Sequence, residues 1–129
     1  METKNKAGYD LEERTLRFAK DVRQFVKMLP RSIAAIEDCK QLVRASGSVG
    51  ANYLEANESL SRKDFLMRIR IARKEAKESR YWLHLIDAAS AVSEQSRLLL
   101  LQEAKELMLI LSAIMRKSEE RTDKGNPRF

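Results

Sequence analysis

The residues in this sequence that could carry out chemistry are carboxylates at helical spacing. Glu75 and Glu78 lie three positions apart, and Glu55 precedes them. Inward-facing carboxylates on neighbouring helices hold two metal ions in di-iron and di-manganese bundles, but those sites also need two Glu-x-x-His pairs. Here Glu75-Ala-Lys-Glu78 stands in place of such a pair, and His84 is the only histidine. We therefore predict no catalytic residue, no metal site and no cofactor; a carboxylate metal enzyme is the remote alternative.

The three glutamates have a simpler use, which is to pair with cations and amides across a contact between helices or subunits. Their expected partners in such polar pairs are Arg44, Asn52 and Arg68. Buried pairs of this kind fix the register of a contact more reliably than they stabilise it.

Two glycines lie three positions apart in the stretch ASGSVGANYLEA, residues 45–56. Such a pair could belong to a phosphate loop or to an RNA clamp. The helical spacing continues through both glycines, whereas a phosphate loop would interrupt one element and begin another, so we predict a helix interior. Glycine inside a helix costs up to about 1 kcal/mol relative to alanine. We expect the close approach of another helix over Ser46, Gly47 and Gly50 to offset that cost.

The positive charge of the chain is concentrated in one segment. The formal net charge is +6, and residues 61–90 hold eight Lys/Arg against four Asp/Glu. At helical spacing most of these cations share one face, and the acids lie mainly on other stripes, so the face carries nearly one sign of charge. We predict that this basic face binds nucleic acid through phosphates rather than base edges. Its candidate residues are Lys63, Arg70, Arg73, Lys74, Lys77, Arg80 and Tyr81.

Four segments with apolar residues alternately three and four positions apart must position these side chains. The spacing predicts helices over about 10–29, 33–60, 62–88 and 94–120, with flexible ends at 1–9 and 121–129. Pro30 disfavours helical geometry in the residue before it, and Ser32, Ser61 and Ser93 are candidate caps of the later helices. The predicted fold is all-α: one domain, an antiparallel up-and-down four-helix bundle with short loops.

The last predicted helix is apolar beyond the stripe that a bundle core would cover. Leu98, Leu99, Leu109 and Ile110 fall outside its main stripe, and Trp82 lies on a second stripe of the preceding helix. A helix that is apolar on more than one face is buried on more than one face. We therefore expect these residues to form an interface between copies of this chain in a homo-oligomer.

The composition favours a helical, cytoplasmic protein. Charged residues make up 34% and hydrophobic residues 43%, with 4 Gly and 2 Pro. Cys39 is the only cysteine, which we interpret as a small buried hydrophobe, and the N-terminus METKNKAGYD has no apolar signal segment. The apolar runs are far shorter than the roughly 20 residues of a membrane span, so we expect no membrane partner.

The central stretch QLVRASGSVGANYLEANESLSRKDFLMRIRIARKEAKESRYWLHLI, residues 41–86, resembles a known family. Its order of short motifs, from Gln41-Leu42 through Glu55-Ala56 to Tyr81-Trp82-Leu83, is similar to that of bacterial four-helix bundle proteins encoded by intervening sequences in large-subunit ribosomal RNA genes. A related branch is the accessory variability protein of diversity-generating retroelements. The resemblance covers the second and third predicted helices closely, and the outer two agree in length and pattern.

The resemblance implies a short bundle that assembles into a cyclic homo-oligomer, with a homopentamer as the expected size. The retroelement branch resembles a nucleic-acid-binding partner of a reverse transcriptase, and the family supplies no catalytic residues. With the basic face, this favours a non-enzymatic oligomer that binds RNA or DNA through phosphate contacts. The alternative is a structural adaptor whose oligomer binds a protein partner such as a reverse transcriptase.

Overall fold

A computed structural model describes residues 6–123, which form four helices and no strand. The helices are α1 (Lys6–Lys27), α2 (Ile33–Asn57), α3 (Arg62–Leu85) and α4 (Ala91–Asp123). Of the ends predicted to be flexible, residues 6–9 and 121–123 belong to helices, and residues 1–5 and 124–129 lie outside the described part of the chain.

The helices pack as an antiparallel up-and-down bundle, which confirms the predicted fold class. Helices that follow one another in the chain are joined by short loops and pack side by side, and α1 also packs against α4. The contact between α2 and α3 is the most extensive and that between α1 and α4 the least. Among the described helices, none combines the length and apolar character that a membrane crossing would require.

The apolar stripes read from the sequence form the core. Burial of a large apolar side chain stabilises a fold by about 1.5–3 kcal/mol, so the core residues dominate the stability of the bundle. The most deeply buried large side chains include Phe18, Val22 and Phe25 on α1, Leu42 and Val49 on α2, Ile69 and Leu83 on α3, and Leu107 and Leu111 on α4.

Two of the three predicted caps are formed. The Ser32 hydroxyl accepts from the amide of Ala35 and the Ser61 hydroxyl from the amide of Asp64, both at 3.1 Å. The second helix ends at Asn57 and not at 60, so Leu60, the last residue of the predicted helix, lies outside the helix and is 95% exposed.

The third cap differs from the prediction. Ser90, not Ser93, caps α4: the Ser93 amide donates to Ser90 Oγ at 3.1 Å, and the Ser90 amide donates to Ser93 Oγ at 3.0 Å. The helix therefore begins at Ala91 rather than 94. The third helix ends at Leu85 rather than 88. Near this end, Arg97 donates to the carbonyl of Leu83 at 3.0 Å and so satisfies one of the last carbonyls of α3.

Candidate nucleic-acid interface

The residues of the predicted basic face all lie on α3, but the structure divides them into two sets. Lys63, Lys74 and Lys77, here called the lysine row, are exposed, and Tyr81 beside them is 58% exposed. Their helical spacing places them on the side of α3 opposite its buried residues. The row extends over about 21 Å at a rise of 1.5 Å per residue.

Two of the three arginines of the face are directed toward α4. Arg70 Nη2 pairs with Glu119 Oε2 at 2.7 Å, and Arg73 Nε donates to the hydroxyl of buried Ser112, also at 2.7 Å. These two side chains brace the contact between α3 and α4, so their charge is less available to a ligand than that of the lysine row. Arg80 is half-buried.

The lysine row is exposed to solvent, and its ammonium groups are not held in short ion pairs with described residues. Lys63 and Lys77 form no ion pair with any other described residue. Lys74 Nζ lies 3.7 Å from Glu75 Oε2, while its side chain stays 58% exposed. A polyanion could therefore approach all three ammonium groups without first breaking a short ion pair.

The other flank of α3 carries the polar contact with α2. Arg44 lies between two carboxylates, with its guanidinium nitrogens 3.9 Å from Glu75 Oε2 and 3.9 Å from Glu78 Oε1. Arg44 is 56% exposed, whereas the Glu75 side chain is only 7% exposed. Glu75 Oε1 is buried with no hydrogen-bond partner among the described residues.

A second polar link joins the same two helices. Arg68 Nη1 donates to Asn52 Oδ1 at 3.0 Å, and Asn52 Nδ2 donates to the carbonyl of Ser48 at 2.9 Å, which fixes the orientation of the amide. Glu55, predicted to join these pairs, is exposed, and its carboxylate pairs with no described residue. Nowhere between residues 6 and 123 do three or more His, Cys, Asp or Glu side chains form a group able to hold a metal ion.

The three small residues of α2 differ in what they contact. A β-carbon added at Gly50 would lie 2.8 Å from Thr15 Oγ1, so α1 approaches α2 closely at this point. At Gly47 the nearest such atom is Arg23 Nη2 at 3.7 Å, an ordinary contact. Ser46 is fully buried, and its hydroxyl donates to the carbonyl of Val43 within the same helix.

A second row of cations was missed by the sequence reasoning. Arg17, Lys20 and Lys27 of α1, here called the α1 row, are exposed and form no ion pair with another described residue. Because α1 packs against α2 and α4 but not α3, this row faces away from the lysine row. Acidic residues elsewhere in the first thirty positions make the net charge of that segment small, so counting charge by segment did not reveal the α1 row. Grouping the cations by helical spacing would have identified it.

The predicted oligomer interface is spread over more than one side of the bundle. Leu98, Leu99 and Leu109 are 53%, 66% and 52% exposed, whereas Ile110 and Trp82 are partly buried against the core. Trp82 lies on the stripe of α3 that faces α2, with its ring 5.1 Å from that of Tyr81, centroid to centroid, in an edge-to-face arrangement. The exposed part of the predicted set is therefore confined to α4.

Comparison with known proteins identifies the family. No curated protein matches the sequence. A crystal structure of a protein with unknown function from the S23 ribosomal protein family of Bacteroides thetaiotaomicron is 29% identical, with a TM-score of 0.73 over 84% of this chain and 97% of that one. The sequence profile of a family described as 23S rRNA-intervening sequence protein matches residues 9–113. The chain therefore belongs to the 23S rRNA-intervening sequence protein family.

Proposed function

We propose that this protein is a non-enzymatic, homo-oligomeric nucleic-acid-binding protein that contacts phosphates through the lysine row of α3. The observation that carries the proposal is the row itself, in which Lys63 and Lys77 are exposed and unpaired among the described residues. A formal net charge of +6 favours association with a polyanion at long range. RNA is the first ligand to test, because the family takes its name from sequences within 23S rRNA.

The chemistry of the row suits recognition that does not depend on base sequence. Lysine presents a compact charge on a flexible stem, which follows a phosphate backbone without fixing a base. Tyr81 lies beside the row and offers an exposed ring on which an unpaired base can stack. In a homo-oligomer, for which a homopentamer is the expected size, each copy would add one more row and so multiply the phosphate contacts.

The test compares two variants that remove equal charge from opposite sides of the bundle. Lys63→Ala/Lys74→Ala/Lys77→Ala removes the lysine row, and Arg17→Ala/Lys20→Ala/Lys27→Ala removes the α1 row. Each variant lowers the formal charge by three from +6, and all six side chains are exposed, so circular dichroism should show that both fold. Any difference in binding then reports the position of the charge rather than its amount.

The measurement is the affinity for a single-stranded RNA across a range of salt concentrations, by fluorescence anisotropy. Each phosphate contact contributes about 0.7 to the log–log salt slope on a single strand, so loss of the three lysines should lower the slope by up to about 2 for each row that the RNA contacts. The variant lacking the α1 row should keep most of the slope. An equal or larger loss in the α1-row variant would overturn the assignment of the face. A wild-type protein without salt-sensitive binding would overturn the function and favour the adaptor.

A further inference from the structure

Tyr81 is an aromatic side chain at one end of the lysine row. Among the aromatic side chains of residues 11–121 it is the only exposed one, at 58%. Lys77 lies about one turn before Tyr81 and Lys74 about two turns before it, so the three side chains project from the same face of α3. A ligand that follows the lysine row therefore meets the Tyr81 ring where the row ends.

The ring of Trp82 holds that of Tyr81 from one side. The two centroids lie 5.1 Å apart, and the rings meet edge to face at an angle of 79°. Trp82 is itself partly buried against the core, which anchors it in the bundle. One neighbour of this kind covers at most one face of the tyrosine ring, so the exposed ring keeps a face for a planar ligand. A ring that is already held also loses less conformational freedom on binding than one that moves freely.

The acids of α3 that lie nearest to Tyr81 are directed away from the lysine row. Glu78 lies three positions before Tyr81 and its side chain is 42% exposed, but its Oε1 lies 3.9 Å from the guanidinium of Arg44 on α2. The Glu75 side chain, on the same flank of the helix, is only 7% exposed. A strand with a base on Tyr81 would therefore bring its neighbouring phosphates to the ammonium groups of the lysine row rather than to a carboxylate.

Phosphates are present in single strands and duplexes alike, whereas an open base face is not. In a duplex each base is paired and stacked between its neighbours, and the deep major groove of A-form RNA does not admit side chains. Bases of a single strand can stack on an aromatic side chain. We infer that Tyr81 stacks on an unpaired base and makes this surface selective for single-stranded over duplex RNA. The inference rests on the proposed function and deepens it by naming the class of ligand.

Two variants of Tyr81 test the inference. Fluorescence anisotropy compares their affinities for a short unstructured single-stranded RNA and for a blunt-ended duplex of the same length. Tyr81→Ala should weaken binding of the single strand by about 5- to 150-fold, the range expected for one stacked base, and should leave binding of the duplex unchanged. Tyr81→Phe keeps the ring and should bind both ligands like the wild type.

The matched control is Leu16→Ala on α1. Leu16 is 58% exposed, as Tyr81 is, and α1 does not pack against α3. This variant should keep both affinities, and circular dichroism should show that all three variants fold. The log–log salt slope of Tyr81→Ala should equal that of the wild type, because the substitution removes no charge.

Trp82 provides a second measurement, since it is the only tryptophan in the sequence. A base stacked on Tyr81 should alter the fluorescence of the neighbouring indole. An abasic strand of the same length carries the same phosphates without bases, so it should leave this fluorescence unchanged and should bind the wild-type protein more weakly than the normal strand. Equal fluorescence changes with the two strands would contradict stacking.

Three further outcomes would overturn the inference: Tyr81→Ala binds the single strand as tightly as the wild type, it weakens single strand and duplex equally, or Tyr81→Phe loses as much affinity as Tyr81→Ala. In each case salt-sensitive RNA binding that the lysine-row variant reduces would persist, so the proposed function would stand. A wild-type protein that binds neither the single strand nor the duplex would overturn the proposed function, and the selectivity of Tyr81 with it.

Discussion

Replacing Gly50 with alanine tests how closely α1 approaches α2. The added β-carbon would lie 2.8 Å from Thr15 Oγ1 and 3.1 Å from Thr15 Cβ, which is closer than van der Waals contact. Thr15 is 1% exposed and its hydroxyl donates to the carbonyl of Glu12 at 3.1 Å, so it has little room to move aside. We therefore expect Gly50→Ala to force the two helices apart.

The matched control is Gly47→Ala, one turn earlier on the same helix. Its β-carbon would lie 3.7 Å from Arg23 Nη2, the end of a flexible side chain. Both substitutions gain about 1 kcal/mol of helix propensity, whereas only Gly50→Ala adds an overpacking cost of about 1–3 kcal/mol. Gly47→Ala should thus stabilise the fold, and the two variants should differ by about 1–3 kcal/mol in the free energy of unfolding.

Thermal unfolding followed by circular dichroism measures this difference. For a chain of 129 residues, an unfolding entropy of about 2.1 cal/mol/K per residue converts 1 kcal/mol into about 4 °C, so the Tm values should differ by about 4–12 °C. Adding Thr15→Ala removes the nearest atom, and the effect of Gly50→Ala should become smaller in that background. Equal increases in Tm for Gly47→Ala and Gly50→Ala would show that no close contact exists at Thr15.

Two further predictions follow from perturbed side chains. Hydrogen bonds from Gln102 and then Arg14 lower the pKa of Glu106 below its ordinary value of 4.5, so this carboxylate stabilises the fold above that pH and loses its contribution as the pH falls through the lowered pKa. Arg14→Met should therefore lower the Tm at neutral pH by more than at about pH 3, and an equal effect at both pH values would contradict this. Burial, with a smaller effect of Asp38, raises the pKa of the Cys39 thiol. Thiol-specific labelling near pH 8 should thus be slower in the folded protein than in denaturant, and equal rates in the two states would contradict this.

The four helices could be predicted because the helical spacing of apolar residues, alternately three and four positions apart, is enough to identify each of them. Phe18, Val22 and Phe25 are buried on the stripe that their spacing defines, and a serine three residues before an acid marks the start of α3. The limits of helices were less predictable. Ser90 and Ser93 are the same residue type three positions apart, so local pattern alone does not decide which of them caps α4.

The sequence predicted which helix face carries the candidate site, but not that the lysines of this face would be exposed while Arg70 and Arg73 contact α4. Spacing placed the lysines and arginines on one face of α3, but the partners of Arg70 and Arg73 depend on how α4 is rotated against that face. In the same way, helical spacing could not distinguish Gly47 from Gly50, since only the position of Thr15 on another helix separates them. Properties of one helix follow from its sequence, whereas contacts between helices require the packed bundle.

The seam between α1 and α4 has a consequence for the order of folding. Arg14 bridges it with hydrogen bonds to Glu103, a contact that spans 89 positions, whereas the Arg68–Asn52 contact within the α2–α3 hairpin spans 16. Closing the longer loop directly costs about 1.5 kcal/mol more in chain entropy. Because this seam is also the least extensive helix contact, it should close last during folding. When stability falls, α1 should then be the first helix to separate, while the α2–α3 hairpin remains paired.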